Sequence, residues 1–455
     1  MHLDRRQFVA LAALASPVAT ARPAQAAPPP SPAALPGIDV TRFGARPGSP
    51  DDQTRVLQRA IDETARTRSP LALPPGIYRA GDLKLPPGAH VVGTRGATRL
   101  LLTQGPSLVS SATADHITLA GLVFDGGGGA LPERRGLVQL ETCAAVRIAD
   151  CEIRNSVGSG LVCVAVGGEV VSTTFSNISD AAIHVLDANG LLIARNRIDR
   201  AGNNGIQVWR SANGDDGTIV VDNRIENIAN RSGGSGQYGN GINIFRAANV
   251  IVRGNRISNC AFSAVRGNAA SNLHIEGNSI NDAREVALYA EFGFEGAVIA
   301  NNSVDGAAIG ISVTNFNEGG RLAVVQGNLI RNLFPRRPAG TDPADAAGVG
   351  ISVEADSAVT GNVVENAPAA GVLVGWGRYL RDVAVTGNVV RGAYIGIAVS
   401  VAPGAGTALI ANNVIAETPR GAVVGMAGAS PITGDLLKAG AEQYANVALS
   451  GNRVR

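Results

Sequence analysis

The feature that most constrains this chain is a repeat in which an asparagine is followed two positions later by isoleucine or valine. Successive copies mostly lie 22 to 27 residues apart, and in two earlier copies Cys151 and Thr173 take the asparagine position. The asparagines are Asn196, Asn223, Asn255, Asn278, Asn302, Asn328, Asn362, Asn388, Asn413 and Asn452. A period of this length is typical of solenoids, in which each repeat contacts only its neighbours.

Each repeat reads V-x-I-x-G-N-x-I-x-N, then a variable stretch, then G-I-x-V, as in Val250 to Asn259 and Gly310 to Val313. Alternation of apolar and polar residues indicates strands with one buried face. Three such strands per repeat are too short to form a core alone, so they bury that face by coiling, with coils stacked about 4.8 Å apart. The pattern therefore predicts an all-β parallel β-helix with three short sheets. A β-propeller is the alternative, but it needs a regular period near ~40 residues.

A second asparagine recurs at the end of the N-x-I-x-N segment. Its repetition at one position predicts an asparagine ladder along a tight turn, in which each side-chain amide bonds to the neighbouring coil. The members of this column are Asn155, Asn177, Asn227, Asn259, Asn332 and Asn366. The 57 glycines and the low aromatic content of 4% fit many short strands joined by turns.

The N-terminal block carries a family resemblance. Asp39 to Ala45, the amphipathic stretch Thr54 to Thr64, Leu73 to Tyr78 and Leu85 to Gly88 follow one another. This series resembles the entry segment of pectate-lyase-like proteins, which implies a right-handed, single-stranded β-helix whose open end is plugged by a short N-terminal helix.

The first residues predict export. Arg5-Arg6 precedes Phe8 and a short apolar run, and Ala24-Gln25-Ala26 is a small-x-small cleavage site, which favours a twin-arginine signal over a general-secretion signal. With this signal the chain is similar to twin-arginine-exported β-helix repeat proteins whose activity is uncharacterised. We therefore expect a periplasmic or secreted protein whose partner during export is the twin-arginine translocon. The expected segments are the signal peptide 1–26, a Pro/Ala-rich linker 27–37, an N-terminal cap with the first coils 38–97, the β-helix repeats 98–430, and a C-terminal cap with the last coil 431–455, including a short helix from Thr433 to Tyr444.

Charge and cysteine content limit which binding partners and metal sites are expected. Removal of residues 1–26 leaves 36 basic and 36 acidic side chains, so neither nucleic acid nor a membrane surface is expected as a partner, and no apolar run is long enough to span a membrane. The four cysteines show no CxxC spacing, which favours buried free thiols over a disulfide or a zinc site. We expect no metal and no cofactor, since Asp215-Asp216 alone is weak support for calcium.

Insertions in the repeat indicate which face of the solenoid is the expected ligand-binding face. The chain lengthens on both sides of the G-I-x-V strand, at Ile228–Asn240 and Leu333–Gly348 before it and at Ser211–Gly217 after it. The outer face of this sheet is therefore expected to be a groove floor, and pectate-lyase-like enzymes place their groove on the corresponding sheet. In G-I-x-V the Ile and Val point inward, so Ile311→Asp should be severely destabilising. The same inward column contains Ile206, Ile242, Ile311 and Ile351.

The outward positions give the candidate site. We expect the reactive centre to contain Asn243, Arg266, Tyr289 and Glu291, because they share one face and occupy adjacent coils. Trp209 and Phe245 are expected to be flat platforms for sugar rings. The candidate substrate-binding residues are Trp209, Arg210, Phe245, Arg246, Gln207, His184, Tyr238 and Glu354, with Tyr238 folding over the centre from its inserted loop.

Three functions remain open. The first is β-elimination or C5 epimerisation of a uronate-containing polysaccharide, in which Arg246 or Arg266 neutralises the sugar carboxylate and Tyr289 or Arg266, with a pKa lowered by a neighbouring cation, is the base. The second is an inverting glycoside hydrolase using Glu291 and Glu354, about 10 Å apart. The third is non-catalytic glycan binding or a structural role in the cell envelope. If the centre is real, Arg266→Ala and Tyr289→Phe should abolish turnover or weaken binding without lowering the melting temperature.

Overall fold

The computed structural model describes residues 35–455 except Pro343. The expected signal peptide 1–26 and most of the linker 27–37 lie outside these residues. The described chain is an all-β parallel solenoid of about 14 turns, which confirms the predicted fold class. None of its helices is long and apolar enough to cross a membrane.

A single α-helix closes the N-terminal end of the solenoid. Helix α1, Thr54–Arg66, buries Leu57 and Ile61 among the leucines of the first coils, because these residues share one helix face. The remaining helical segments are short 3₁₀ turns at Val40–Phe43, Phe316–Glu318 and Ala441–Gln443.

Short strands make up almost all of the rest. In chain order they are β1 Ile38–Asp39, β2 Leu71–Leu73, β3 Gly76–Ala80, β4 Leu83–Lys84, β5 His90–Gly93, β6 Thr98–Leu102, β7 Val109–Ser111, β8 Ile117–Ala120, β9 Val123–Asp125, β10 Gly136–Ala149, β11 Glu152–Ser156, β12 Ser159–Val171, β13 Thr174–Ile178, β14 Ala181–Leu186, β15 Leu192–Ala194, β16 Arg197–Ala201, β17 Asn204–Asp215, β18 Ile219–Val221, β19 Arg224–Ile228 and β20 Asn240–Ala248. The second half contains β21 Ile251–Arg253, β22 Arg256–Cys260, β23 Val265–Asn268, β24 Leu273–Glu276, β25 Ser279–Glu291, β26 Glu295–Ala300, β27 Ser303–Val313, β28 Arg321–Gln326, β29 Leu329–Arg331, β30 Val349–Val353, β31 Ala355–Thr360, β32 Val363–Val374, β33 Arg381–Thr386, β34 Val389–Ser400, β35 Ala408–Ala411, β36 Val414–Ala416, β37 Gly421–Ala427, β38 Ser430–Asp435, β39 Val447–Ser450 and β40 Arg453–Val454.

The strands form three parallel sheets, one for each strand of the repeat. The first sheet contains the V-x-I strands, the second the N-x-I strands and the third the G-I-x-V strands. In the third sheet Ile206 pairs with Ile242, and Ile311 pairs with Ile351. All four are fully buried in the central core, so the predicted inward column is confirmed.

A continuous buried asparagine ladder runs through the solenoid, and it is formed by the first asparagine of the repeat. The Asn255 backbone N–H and Nδ2 both donate to Oδ1 of Asn278, at 2.9 and 3.0 Å, and Asn278 makes the same two bonds to Asn302. The expected column of second asparagines forms only short exposed segments, such as Asn259 Nδ2 to Asn227 Oδ1 at 2.8 Å. These residues have left-handed backbones, which asparagine tolerates better than most residues.

The C-terminal cap differs from its expectation. The segment from Thr433 to Tyr444 is not a helix: it contains the end of β38 and the 3₁₀ turn Ala441–Gln443. Strand β38 pairs antiparallel with β37, and the Asp435 carboxylate accepts hydrogen bonds from the Ala422 and Val423 N–H groups. This hairpin covers a strand edge that would otherwise be open.

The four cysteines, Cys143, Cys151, Cys163 and Cys260, are buried and free. Burial raises the pKa of the thiols of Cys151, Cys163 and Cys260 to about 12, which makes them unreactive core residues.

Candidate functional site

The outer face of the third sheet carries the two expected columns in register. Gln207 pairs with Asn243, Asn243 with Arg266, and Arg266 with Tyr289. The second column stacks Trp209 on Phe245, Phe245 on Asn268 and Asn268 on Glu291. The repeat therefore brings the four expected catalytic residues together on adjacent coils.

Arg266 is locked into a buried ion pair. Its Nε and Nη2 donate to the two carboxylate oxygens of Glu291 at 2.6 and 2.9 Å, and its guanidinium lies 4.9 Å from the centre of the Tyr289 ring. The Arg266 side chain is only 9% exposed and that of Glu291 only 1%. Fork geometry of this kind gives strong, directional bonds.

Glu285 and Arg337 extend this pair into a buried network of two arginines and two glutamates, which the exposed Asp345 joins through Arg337 Nη1 at 3.0 Å. Arg266 Nη1 donates to Glu285 Oε2 at 3.3 Å, and Arg337 Nη1 donates to Glu285 Oε1 at 3.2 Å. The side chains of Glu285 and Arg337 are 2% and 8% exposed. We call Arg266, Glu285, Glu291 and Arg337 the charge cluster.

The two inserted loops cover this cluster. Ser235, in the first loop, donates to Glu285 at 2.6 Å and accepts from Arg266 at 3.0 Å, while the carbonyl of Gly236 accepts from Asn243 Nδ2 at 2.8 Å. Arg337 belongs to the second loop, and the Ser235 N–H donates to the carbonyl of Gly340 there. Tyr238 lies against Gly233 of its own loop, while Ser235 and Gly236 contact the centre directly. The expected covering role of Tyr238 stays a prediction.

The pKa shifts at this centre are opposite to those that the expected base chemistry requires. Burial raises the pKa of Tyr289, and the Glu291 carboxylate adds to this effect. Burial favours the neutral form of Arg266, but Glu291 and Glu285 outweigh it and raise the pKa of its guanidinium. A neighbouring cation was expected to lower these pKa values, yet burial dominates at Tyr289 and the two carboxylates dominate at Arg266. Both shifts disfavour the deprotonated form that a general base needs.

The two carboxylates assigned to a hydrolase are also engaged. Glu291 accepts from Asn268 Nδ2 at 3.0 Å in addition to its two bonds from Arg266. Glu354 Oε2 accepts the Phe316 N–H at 2.7 Å, and burial raises the pKa of Glu354. Burial likewise raises the pKa of Glu291, against the pull of Arg266. Glu291 has no open side for water, so this pair does not support an inverting mechanism.

Trp209 is part of an edge-on aromatic row. Its ring lies 5.4 Å from His184 at 83° and 6.1 Å from Phe245 at 69°, and its Nε1 donates to Asn243 Oδ1 at 2.9 Å. His184 Nδ1 is 2.6 Å from Gln207 Oε1, and burial lowers the pKa of His184. These contacts fix the orientation of the Trp209 ring and use its indole N–H within the protein. The expected sugar platform at Trp209 stays a prediction.

Arg210 and Asp216 form a second partly buried pair. Their Nη1 and Oδ2 atoms are 3.7 Å apart, and burial raises the pKa of Asp216. Asp215 accepts from Asn249 Nδ2 at 2.8 Å. Within residues 35–455, no group of three or more His, Cys, Asp or Glu side chains is placed to hold a metal ion.

An open depression lies at the corner where the third sheet turns into the first. It measures about 620 Å³, within the ~300–1,000 Å³ usual for ligand pockets. Its centre is the small Ala269, which is flanked on the neighbouring coils by the larger Arg246 and Phe292. We call this feature the corner depression; its other lining residues are Ser211, Ala212, Asn213, Phe245 and Asn268.

Side chains of the corner depression are accessible and chemically mixed. Phe292 is 39% exposed, and Arg246 is exposed with its guanidinium 4.7 Å from the centre of the Phe245 ring. Phe292 has a left-handed backbone, with φ of 57°, which is unfavourable for a bulky residue. The same left-handed conformation occurs at Arg246 and Ala269 on the neighbouring coils, so it belongs to this corner of the repeat.

Sequence reasoning found Phe245 and Arg246 but missed Glu285, Arg337 and Phe292. Glu285 lies where the register of β25 shifts between Ala283 and Val286, so the repeat gives it no defined facing. Arg337 comes from an inserted loop. The position of Phe292, directly after Glu291 in the outward column, was the one available indication.

Comparison with known proteins agrees with the architecture. The family model described as "Right handed beta helix region" matches residues 167–330 and 211–390. The fold is a right-handed parallel β-helix. The N-terminal fragment of bacteriophage phi29 gene product 12 matches with a TM-score of 0.57 and 15% identity, over 86% of this chain and 68% of that one. The surface adhesin PfbA of Streptococcus pneumoniae matches with a TM-score of 0.50 and 15% identity, over 88% of this chain and 94% of that one. No curated protein sequence matches this β-helix.

Proposed function

We propose that this β-helix is an exported protein that binds a uronate-containing polysaccharide in the corner depression. The observation that carries the proposal is the accessible group of Phe245, Phe292 and Arg246 around Ala269. Aromatic rings offer apolar faces to the C–H side of a sugar ring, and an exposed guanidinium is suited to a carboxylate.

The charge cluster supports binding rather than bond cleavage at this face. Lyase and epimerase chemistry needs an available base beside a cation, and Arg266 and Tyr289 are buried with raised pKa values. In this proposal the cluster fixes the two inserted loops and gives the ligand face a rigid support. A binding titration with a panel of polyuronates should detect complex formation. Ultraviolet absorbance should show no unsaturated product, and proton NMR should show no inversion at C5 of the sugar.

Phe292→Asn separates a binding role from a structural one. Asparagine tolerates the left-handed backbone better than phenylalanine, so the variant should be at least as stable as the parent. Its affinity for the polysaccharide should fall by about tenfold, since an aromatic contact is lost. The matched control is Tyr394→Ala, which removes a 50% exposed aromatic ring outside the depression. Unchanged binding by Phe292→Asn to a glycan that the parent retains would exclude the depression as the site.

Export belongs to the same proposal. The Arg5-Arg6 pair and the Ala24-Gln25-Ala26 site support passage through the twin-arginine translocon to the periplasm or the exterior. Replacement of both arginines by lysine should leave the full-length chain inside the cell. Continued export and cleavage of that variant would favour the general-secretion route.

A further inference from the structure

A second surface, on the outer face of the second sheet, carries a row of stacked arginines. Arg197, Arg224 and Arg256 begin three successive strands and pair directly with one another in register. All three are exposed, and neighbouring coils lie about 4.8 Å apart. We call these three residues the arginine array.

The array is concentrated on three coils and is strongly cationic. The segments 195–200, 222–227 and 253–258 contain six arginines against Asp199, Asp222 and Glu226. This local excess of three positive charges contrasts with the near-zero net charge of residues 27–455. The arginine array ends after Arg256, because the same column of the second sheet continues with Ser279, Ser303 and then four exposed aliphatic residues.

Most of these guanidinium groups are available for a ligand. Arg197 Nη2 reaches Glu226 Oε2 at 3.3 Å, but the Arg197 side chain remains 56% exposed. Arg224 and Arg256 form no ion pair with any described residue, in contrast to Arg331 and Arg391 on later coils of the same sheet. Stacked like charges repel one another, so the array lowers stability unless an anion lies across it.

We infer that the arginine array binds a linear, carboxylate-bearing polysaccharide along the axis of the solenoid. A guanidinium fork matches a carboxylate in shape and charge. The coil spacing is close to the length of one sugar ring with its linkage, so a chain that lies along the array can bring carboxylates to more than one arginine. The array and the corner depression lie on different sheets, and neither depends on the other.

The test uses the triple variant Arg197→Gln, Arg224→Gln and Arg256→Gln. The control variant replaces three other exposed arginines by glutamine, each of which is paired with a nearby acid: Arg284, Arg331 and Arg391. It changes the net charge by the same amount as the array variant. Binding to polygalacturonate, a neutral glucan, single-stranded DNA and polyphosphate is measured over a salt series. The array variant should bind polygalacturonate about tenfold or more weakly, with a shallower salt dependence, while the control keeps the parent affinity.

Each other outcome counts against the inference. Equal affinity of the array variant and the control would show that the array is a solvated surface. Tighter binding of the parent to DNA or polyphosphate would assign the array to phosphate-bearing polymers instead. Phe292→Asn leaves the arginine array intact. If only this variant loses affinity for polygalacturonate, the corner depression is the binding site and the inference about the array is wrong.

Discussion

Removal of the Arg266 side chain tests whether the charge cluster is a structural device. In Arg266→Ala, Glu291 loses two charge-assisted hydrogen bonds of 2.6 and 2.9 Å while its carboxylate stays buried. Bonds to charged groups contribute about 1.5–3 kcal/mol each, and breaking a buried ion pair by removing one partner costs about 3–5 kcal/mol. We therefore expect a loss of about 3–5 kcal/mol in the free energy of unfolding, in contrast to the unchanged melting temperature that the sequence predicted.

A pH series sharpens the prediction. Burial raises the pKa of Glu291, and Arg266 opposes that rise. In Arg266→Ala the pKa of Glu291 in the folded state rises further above its ordinary value. The stability lost by burying an unpaired Glu291 carboxylate is therefore absent at pH values below the ordinary pKa. It grows as the pH increases through the raised pKa of the folded state. The stability gap between Arg266→Ala and the parent should therefore narrow on acidification.

Denaturant unfolding followed by tryptophan fluorescence measures this loss, since Trp209 lies on the same sheet two coils away. The control Arg246→Ala removes an exposed arginine and should stay within about 0.5 kcal/mol of the parent. A double variant, Arg266→Met with Glu291→Met, should recover most of the stability lost in Arg266→Met, because apolar residues can replace a buried pair. A loss below about 1 kcal/mol in Arg266→Ala, or no recovery in the double variant, would refute the locked network.

Three further predictions concern the core, the ladder and one histidine. Ile311→Asp should cost more than about 4 kcal/mol by placing a charge in the core, whereas Val324→Asp, at an exposed position, should cost little by the same unfolding measurement. Asn302→Ala should cost about 2–4 kcal/mol because it leaves buried ladder groups unpaired, and exposed Asn281→Ala is its control; equal losses would contradict a structural ladder. Burial lowers the pKa of His184, so parent stability should fall as the pH drops below about 6.5, and His184→Phe should flatten this decline; parallel pH profiles would contradict it.

The fold and the facing of each strand could be predicted because they are set by local, repeated information. Alternation places Ile206 and Ile311 inside and Gln207 outside, and one register repeated along the chain fixes all the stacked columns. The expected bonds between second asparagines form on some coils, but the continuous ladder consists of the first asparagines, which repeat with the same period. Only burial separates Asn255, which is enclosed, from Asn259, which lies at an exposed left-handed turn.

The sequence could not predict whether the expected reactive centre is open or enclosed, because this depends on contacts between distant parts of the chain. Ser235 is 50 residues from Glu285, and Arg337 is 52 residues from it on the other side. An outward position in a repeat establishes only that a side chain leaves the core. Whether it meets solvent or a covering loop is decided by inserted segments that carry no periodicity.

A parallel β-helix converts each strand position into a line of side chains at fixed spacing, and this rule explains where ligand surfaces arise here. The outward columns of the third sheet are covered around Arg266 and Tyr289, where two loops and the charge cluster enclose them. On the same coil as Arg266, directly after β23, small Ala269 between Arg246 and Phe292 leaves the corner open. On the second sheet no inserted loop supplies acids to Arg224 and Arg256, so their charge stays available. Enclosed charged side chains thus stabilise the inserted loops, whereas exposed charged side chains remain free to bind a ligand. The inserted segments, and not the repeat, decide which charged side chains are enclosed.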